Sequence, residues 1–179
     1  RRYLRRRLAD WAPEPIAVDF EALFGGPVPI VGSDEASEFL TILSVLSGKM
    51  LADLYEEHGQ RLLEGNVRSY LQNRGKVNQG ILETIKNEPQ RFITYNNGIS
   101  VVASDAKLTT DDNGGKWLHR CEGFQIVNGQ QTTVTFSDLN DESLDRVYVD
   151  MKLIQIDWTM EEGRRFANEV SAATNTQSA

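Results

Sequence analysis

The sequence predicts a mixed α/β domain, α+β in character, with helices packed on one mixed sheet. Three observations carry this. Leu51, Leu54, Tyr55, His58 and Leu62 recur at helical spacing, one apolar stripe on an otherwise polar segment. "RVYVDMKLIQI" (146–156) has the β-branched, alternating character of a strand. "GISVVASDAKLTT" and "KWLHRCEG" flank "DDNGG", the pattern of a hairpin around a Gly-rich turn.

Taken in order, "RRYLRRRLADW" places Tyr3, Leu4, Leu8 and Trp11 at helical spacing until Pro13 and Pro15 end it. Residues 12–38 form a connector whose "FGGPVPIVG" is expected to be extended and paired at a sheet edge. "FLTILSVLSG" is β-rich up to Gly48, and the amphipathic helix then runs from Met50 to Gly65. "VNQGILETIKNEP" repeats the helical stripe with Val77, Ile81 and Ile85, stopped by Pro89. "FQIV" is a short strand leading into "NGQQTT", after which "QTTVTFSDLN" continues as a helix. The last helix, "TMEEGRRFANEVSAATN", has Thr159 and Glu162 at capping-box spacing. The strands near 99–105, 116–121, 125–127 and 146–156 are expected to share one sheet, covered by the helices at 50–64 and 77–88. We divide the chain into 1–38, a helix and connector ending an upstream region, and 39–179, the domain proper. Its abrupt ends suggest a fragment.

Composition narrows the function. Hydrophobic content of 40% and charged content of 25% suit a soluble globular core. No apolar run approaches the ~18 residues of a membrane span, and no secretory leader is visible. Cys121 is the lone cysteine, which fits a reducing compartment, so a cytoplasmic location is expected. Arg1, Arg2, Arg5, Arg6 and Arg7 are five of nineteen basic residues. That leaves fourteen against twenty-six acidic residues in 8–179, a net of −12. Broad electrostatic binding to nucleic acid is disfavoured by that balance. Neither a P-loop nor G-x-G-x-x-G occurs, and His58, His119 and Cys121 cannot build a zinc site of familiar spacing. His58 lies on an apolar helix face, as a packed histidine does. No cofactor is expected.

Amide-rich clusters are the unusual feature. "GNVRSY" supplies Asn66 and Arg68, "KVNQG" Asn78, and "YNNGIS" Asn96 and Asn97. "IVNGQQTT" supplies Asn128, Gly129, Gln130, Gln131 and Thr132, and "AATNTQ" Asn175 and Gln177. Turn chemistry explains an isolated Asn-Gly, but not this mixture several times over. A helix N-terminus offers N–H groups and a partial positive charge, a glycine there admits a ligand to the backbone, and Gln and Thr add neutral donors. Such a constellation suits a phosphate or carboxylate. We expect most of these residues to converge, with Arg68 as anion partner or paired with Glu64. Gly129→Val should then abolish binding and spare the fold, provided φ is negative there.

"LLEGNVRSYL", "KVNQGILETIKNEPQRF", "YNNGIS", "QIVNGQQTT" and "AATNTQ", in this order, resemble the AIPR family of abortive-infection phage-resistance proteins over roughly residues 40–177. Gly123-Phe124 stands where that family often has Asn-Pro. The resemblance implies a fragment of a bacterial defence protein, a recognition or regulatory module whose partner is a nucleotide or nucleic acid. A weaker layout likeness is to ParB/sulfiredoxin-like and DGQHR proteins. It implies a phosphate cradle at Gly129–Thr132 and a second half at Asn175–Gln177, although Gln131 or Thr132 replaces their basic residue.

Two alternatives stay open. Asp150-Met151-Lys152, with Asp105-Ala106-Lys107, is the acid-x-Lys pattern of a metal-dependent nuclease, which needs further carboxylates nearby. Alternatively, the amides build a buried structural or oligomerising network. On the recognition-module reading this chain alone is not expected to be catalytic.

Overall fold

In the computed structural model the described residues are 15–32, 39–63, 74–139 and 142–176; for 74–78 and 174–176 the description covers the backbone. Elements in chain order are β1 (Ala17–Asp19), α1 (Phe20–Phe24), β2 (Val28–Gly32), β3 (Thr41–Ser47), α2 (Gly48–His58), α3 (Arg74–Asn87) and α4 (Phe92–Tyr95). There follow β4 (Ile99–Ala103), β5 (Asp105–Thr110), β6 (Lys116–Glu122), β7 (Gln125–Asn128), α5 (Gln130–Leu139), β8 (Tyr148–Gln155) and α6 (Glu161–Thr176). Short 3₁₀ turns stand at Gly59–Leu62, Pro89–Arg91 and Glu142–Arg146.

The described strands form one mixed sheet, as the sequence predicts, including all four strand regions named above. β8 lies at its middle, antiparallel to β3 and parallel to β4. β3 pairs with β2, and β2 with β6. β4 and β5 are one strand broken at Ser104, and β6 and β7 one strand broken at Gly123. Together they make a long bent hairpin, because β4 pairs with β7 while β5 pairs with β6. The sheet thus curls until its ends meet at this corner. Gly123 has φ +64, and a Cβ there would lie 2.8 Å from Ser104 Oγ, so the corner needs glycine. Ser104 fastens it by donating its N–H (2.8 Å) and hydroxyl (3.0 Å) to Glu122 O.

Alternation along β3 turns Ile42, Ser44 and Leu46 into the core and Leu43 and Val45 outward. The buried Ser44 hydroxyl is satisfied by donating to Pro29 O at 2.8 Å. Ser47 then caps α2, its hydroxyl accepting from Met50 N at 3.1 Å. Leu51 and Leu54 of α2, Ile81 and Ile85 of α3, and Val134 and Phe136 of α5 join the inner sheet face in one core, with α3 packed against α5 and α4. Phe92 leads α4 into that core with its ring 5.1 Å from Phe136. A second, smaller core lies on the outer face, where α6 covers Val102, Val127, Ile154 and Ile156 with Ala167 and Phe166. α2, α5 and α6 therefore share cores with the sheet, while the helix expected over 77–88 reaches that core by packing on α5 and α4 rather than on the strands.

Three sequence expectations need correction. β2 is not an edge strand, since it lies between β6 and β3; Pro29 is tolerated there although it has no N–H to give. The first amphipathic helix ends at His58 and tightens into a 3₁₀ turn instead of continuing to Gly65, because Gly59 adopts φ +60. Thr159 is not the cap of α6. Its N–H (2.8 Å) and hydroxyl (2.6 Å) both donate to Asp157 Oδ1, so the aspartate organises the helix entry. Residues 17–32, assigned above to the connector, contribute β1, α1 and β2 to the sheet. The helix expected at 1–11 lies outside the described residues.

The amide-rich junction as a candidate functional site

The bent hairpin decides which motifs meet. Asp105 pairs with Glu122, Val101 with Ile126 and, past a bulge, Ser100 with Asn128. The "NNG" that enters β4 therefore lies beside the "NG" that leaves β7. Both glycines are demanded by this approach. Gly98 has φ +65, and a Cβ on it would run into Asp150 of β8. Gly129 has φ +88, and a Cβ would lie 2.5 Å from Ile99 Cγ2 and 2.9 Å from Gly98 O.

That geometry corrects the reading of Gly129. Its φ is positive, and the space its missing Cβ leaves is filled by β4. Gly129→Val is thus a folding variant and cannot serve as a clean probe of ligand approach.

Around the crossing, Asn96 ends α4 and donates Nδ2 to Phe92 O (3.1 Å), while Asn97 is exposed. Asn128, Gln130, Gln131 and Thr132 are half-buried. Gln130 Nε2 donates to Val127 O at 3.3 Å. The N–H of Thr133 donates to Gly129 O (3.1 Å), the first i→i−4 bond of α5, and its hydroxyl accompanies it at 3.0 Å. The amides of Gln130 and Thr132 lie ahead of that bond, in the part of a helix whose N–H groups have no helical acceptor. Thr133 is fully buried and committed to the backbone, leaving Thr132 as the hydroxyl nearer to solvent.

Charge near the junction is mixed. The exposed Asp150 abuts Gly98, and Lys152, also exposed, pairs in register with Ser100. A bare phosphate would meet a carboxylate here as well as helix N–H groups. Neutral amides suit a ligand that both donates and accepts hydrogen bonds, as a nucleobase edge does.

The structure thus brings together Asn96, Asn97, Asn128, Gly129, Gln130, Gln131 and Thr132 at one end of the sheet. Asn78 lies in α3, which packs on α5, and Asn175 near the end of α6, which packs on β7 and β4. Asn66, Arg68, Glu64 and Gln177 lie outside the described residues. Leu63 bridges Ile126 in parallel, so there the chain runs alongside β7, two residues from Asn128. Sequence reasoning missed Gly98, Ser100 and Asp150 as neighbours of this site. Hairpin register would have found the first two: counted down its legs from Thr110 opposite Lys116, it sets 98–100 beside Asn128.

The other candidates fare differently. Among the described residues no three His, Cys, Asp or Glu side chains could share a metal ion, so Asp150 and Asp105 lack the carboxylate cluster of a nuclease centre. Cys121 is buried on β6 and desolvation pushes its thiol up to about 12, helped by Asp105 and Glu122, which leaves it a poor nucleophile. His58 is largely buried, as a packed histidine, and its Nε2 has no hydrogen-bond partner among the described residues. His119 joins Glu21 through Nδ1 (2.7 Å) and Thr109 through Nε2 (2.7 Å), pinning α1 to the hairpin. No helix among the described residues is long and apolar enough to cross a membrane.

A family model described as AIPR protein matches residues 63–179, a span that holds every candidate residue of the junction. No match was found among curated proteins or among solved structures.

Proposed function

Because the chain belongs to the AIPR family of abortive-infection phage-resistance proteins, we propose that it acts there as a recognition module holding a nucleotide or nucleic-acid ligand at the β7–α5 junction. One observation carries this reading: two amide-bearing segments some thirty residues apart meet at the start of a helix. Asn97, Asn128, Gln130 and Thr132 are the side chains assigned to the ligand, with the backbone N–H groups of Gln130 and Thr132 at the start of α5. Asn96 positions the loop by its bond to Phe92 O.

A thermal-shift screen with mononucleotides and short oligonucleotides tests this. A ligand at about 100 times its Kd stabilises by about 2.7 kcal/mol. Asn128→Ala should remove that stabilisation. Absence of any shift across the screen contradicts the reading. A second reading, that these residues serve the fold alone, draws on the bonds from Asn96, Gln130 and Thr133 to backbone carbonyls. It expects Asn128→Ala to lower stability without touching ligand response.

A further inference from the structure

The outer face of β2, β3 and β8 breaks the rule that a strand with one buried face turns polar residues to solvent. Val31 (70% exposed), Leu43 (51%), Val45 (43%) and Tyr148 (49%) all lie outward. Register makes them contiguous: Val31 pairs with Leu43, Leu43 with Lys152, Val45 with Asp150, and Ser47 with Tyr148. Farther along this same outer face, α6 covers Val102 and Ile154, so the chain's own helix serves only part of it. A contiguous exposed apolar patch of this kind marks an interface.

The charges within the patch identify the occupant. Asp150 and Lys152 sit two residues apart on β8, on the same side of the strand, and neither has an ion-pair partner among the described residues. A two-fold axis lying between the two outer faces, at right angles to β8 and level with Met151, would lay Asp150 of one copy against Lys152 of the other, and the reverse. One acid and one base, symmetric about a point, are self-complementary, as an isologous interface requires. The acidic balance of 8–179, fourteen basic against twenty-six acidic residues, turns a polyanion away from the same face. We propose that this face joins two copies of the chain, β8 against β8, with the apolar side chains at its centre.

Sedimentation equilibrium of the 179-residue chain tests it. The wild type should show about twice the 20.1 kDa of one chain. Val45→Lys should halve that mass while circular dichroism keeps the native spectrum. Asp150→Lys and Lys152→Asp should each be monomeric, because like charges then meet. Mixed together, these two variants should form a heterodimer, and the double swap should dimerise again. A monomeric wild type at hundreds of micromolar overturns the proposal, whatever ligand the junction binds. So does a dimer indifferent to Val45→Lys, or charge variants that fail to associate on mixing.

Discussion

Gly129→Ala should destabilise the protein by about 2–5 kcal/mol. A side chain held at φ +88 costs about 1–2 kcal/mol. The added Cβ must also displace Ile99, whose Cγ2 would lie 2.5 Å away, or the Gly98 carbonyl at 2.9 Å. Forcing an extra carbon into a packed site costs about 1–3 kcal/mol. Gly25 supplies the control. It ends α1 with φ +80, a similar backbone demand, yet nothing lies within 4 Å of its Cβ position. Gly25→Ala should therefore cost only the conformational part. Urea unfolding of both variants measures the difference directly, as a midpoint shift at unchanged slope. Equal midpoints for the two would refute the close approach of β4 and β7 on which the junction rests.

Other outcomes follow from the same contacts. Leu51→Ala, which empties a fully buried position between α2 and the sheet, should cost about 2–5 kcal/mol in the same unfolding assay. The Asp111 carboxyl is held below its usual range mainly by the Trp117 indole N–H, then by the Gly115 and Asn113 amides. Trp117→Phe should raise it in an NMR titration. Because its folded pKa is depressed, the contribution of Asp111 is present above the unfolded pKa and is lost as pH falls through the folded one. Cys121 should resist a thiol reagent at pH 8 in native buffer and react fully in denaturant, since burial both hides and neutralises it; rapid native labelling would contradict its placement.

Much of this was legible from residue pattern. Strand β8 declares itself through Val149, Met151 and Leu153 facing the core, and the "DDNGG" hairpin through its turn chemistry. Less legible was β2, where Gly25, Gly26, Pro27 and Pro29 look like a connector; its two-sided pairing comes from tertiary context that overrides those residues. "GISVVASDAKLTT" hid its corner, because Ser104 and Gly123 break the strands only when they face each other. The candidate site was half visible. Its residue types pointed to the junction, but the partnership of "NNG" with "NGQQT" depends on register accumulated over a long hairpin. The role of Gly129 needed φ, which sequence does not give. Asp150 joined the site through β4–β8 pairing, a long-range contact with no local signal.

The central claim is that a ligand is held where β7 gives way to α5, and amide NMR shift mapping tests it most directly. Titrating the nucleotide or oligonucleotide that gives the largest thermal shift should move the backbone signals of Asn97, Gly98, Asn128, Gln130, Gln131 and Thr132 first and farthest. Shifts confined to other faces of the sheet, or none at saturating ligand, would contradict it.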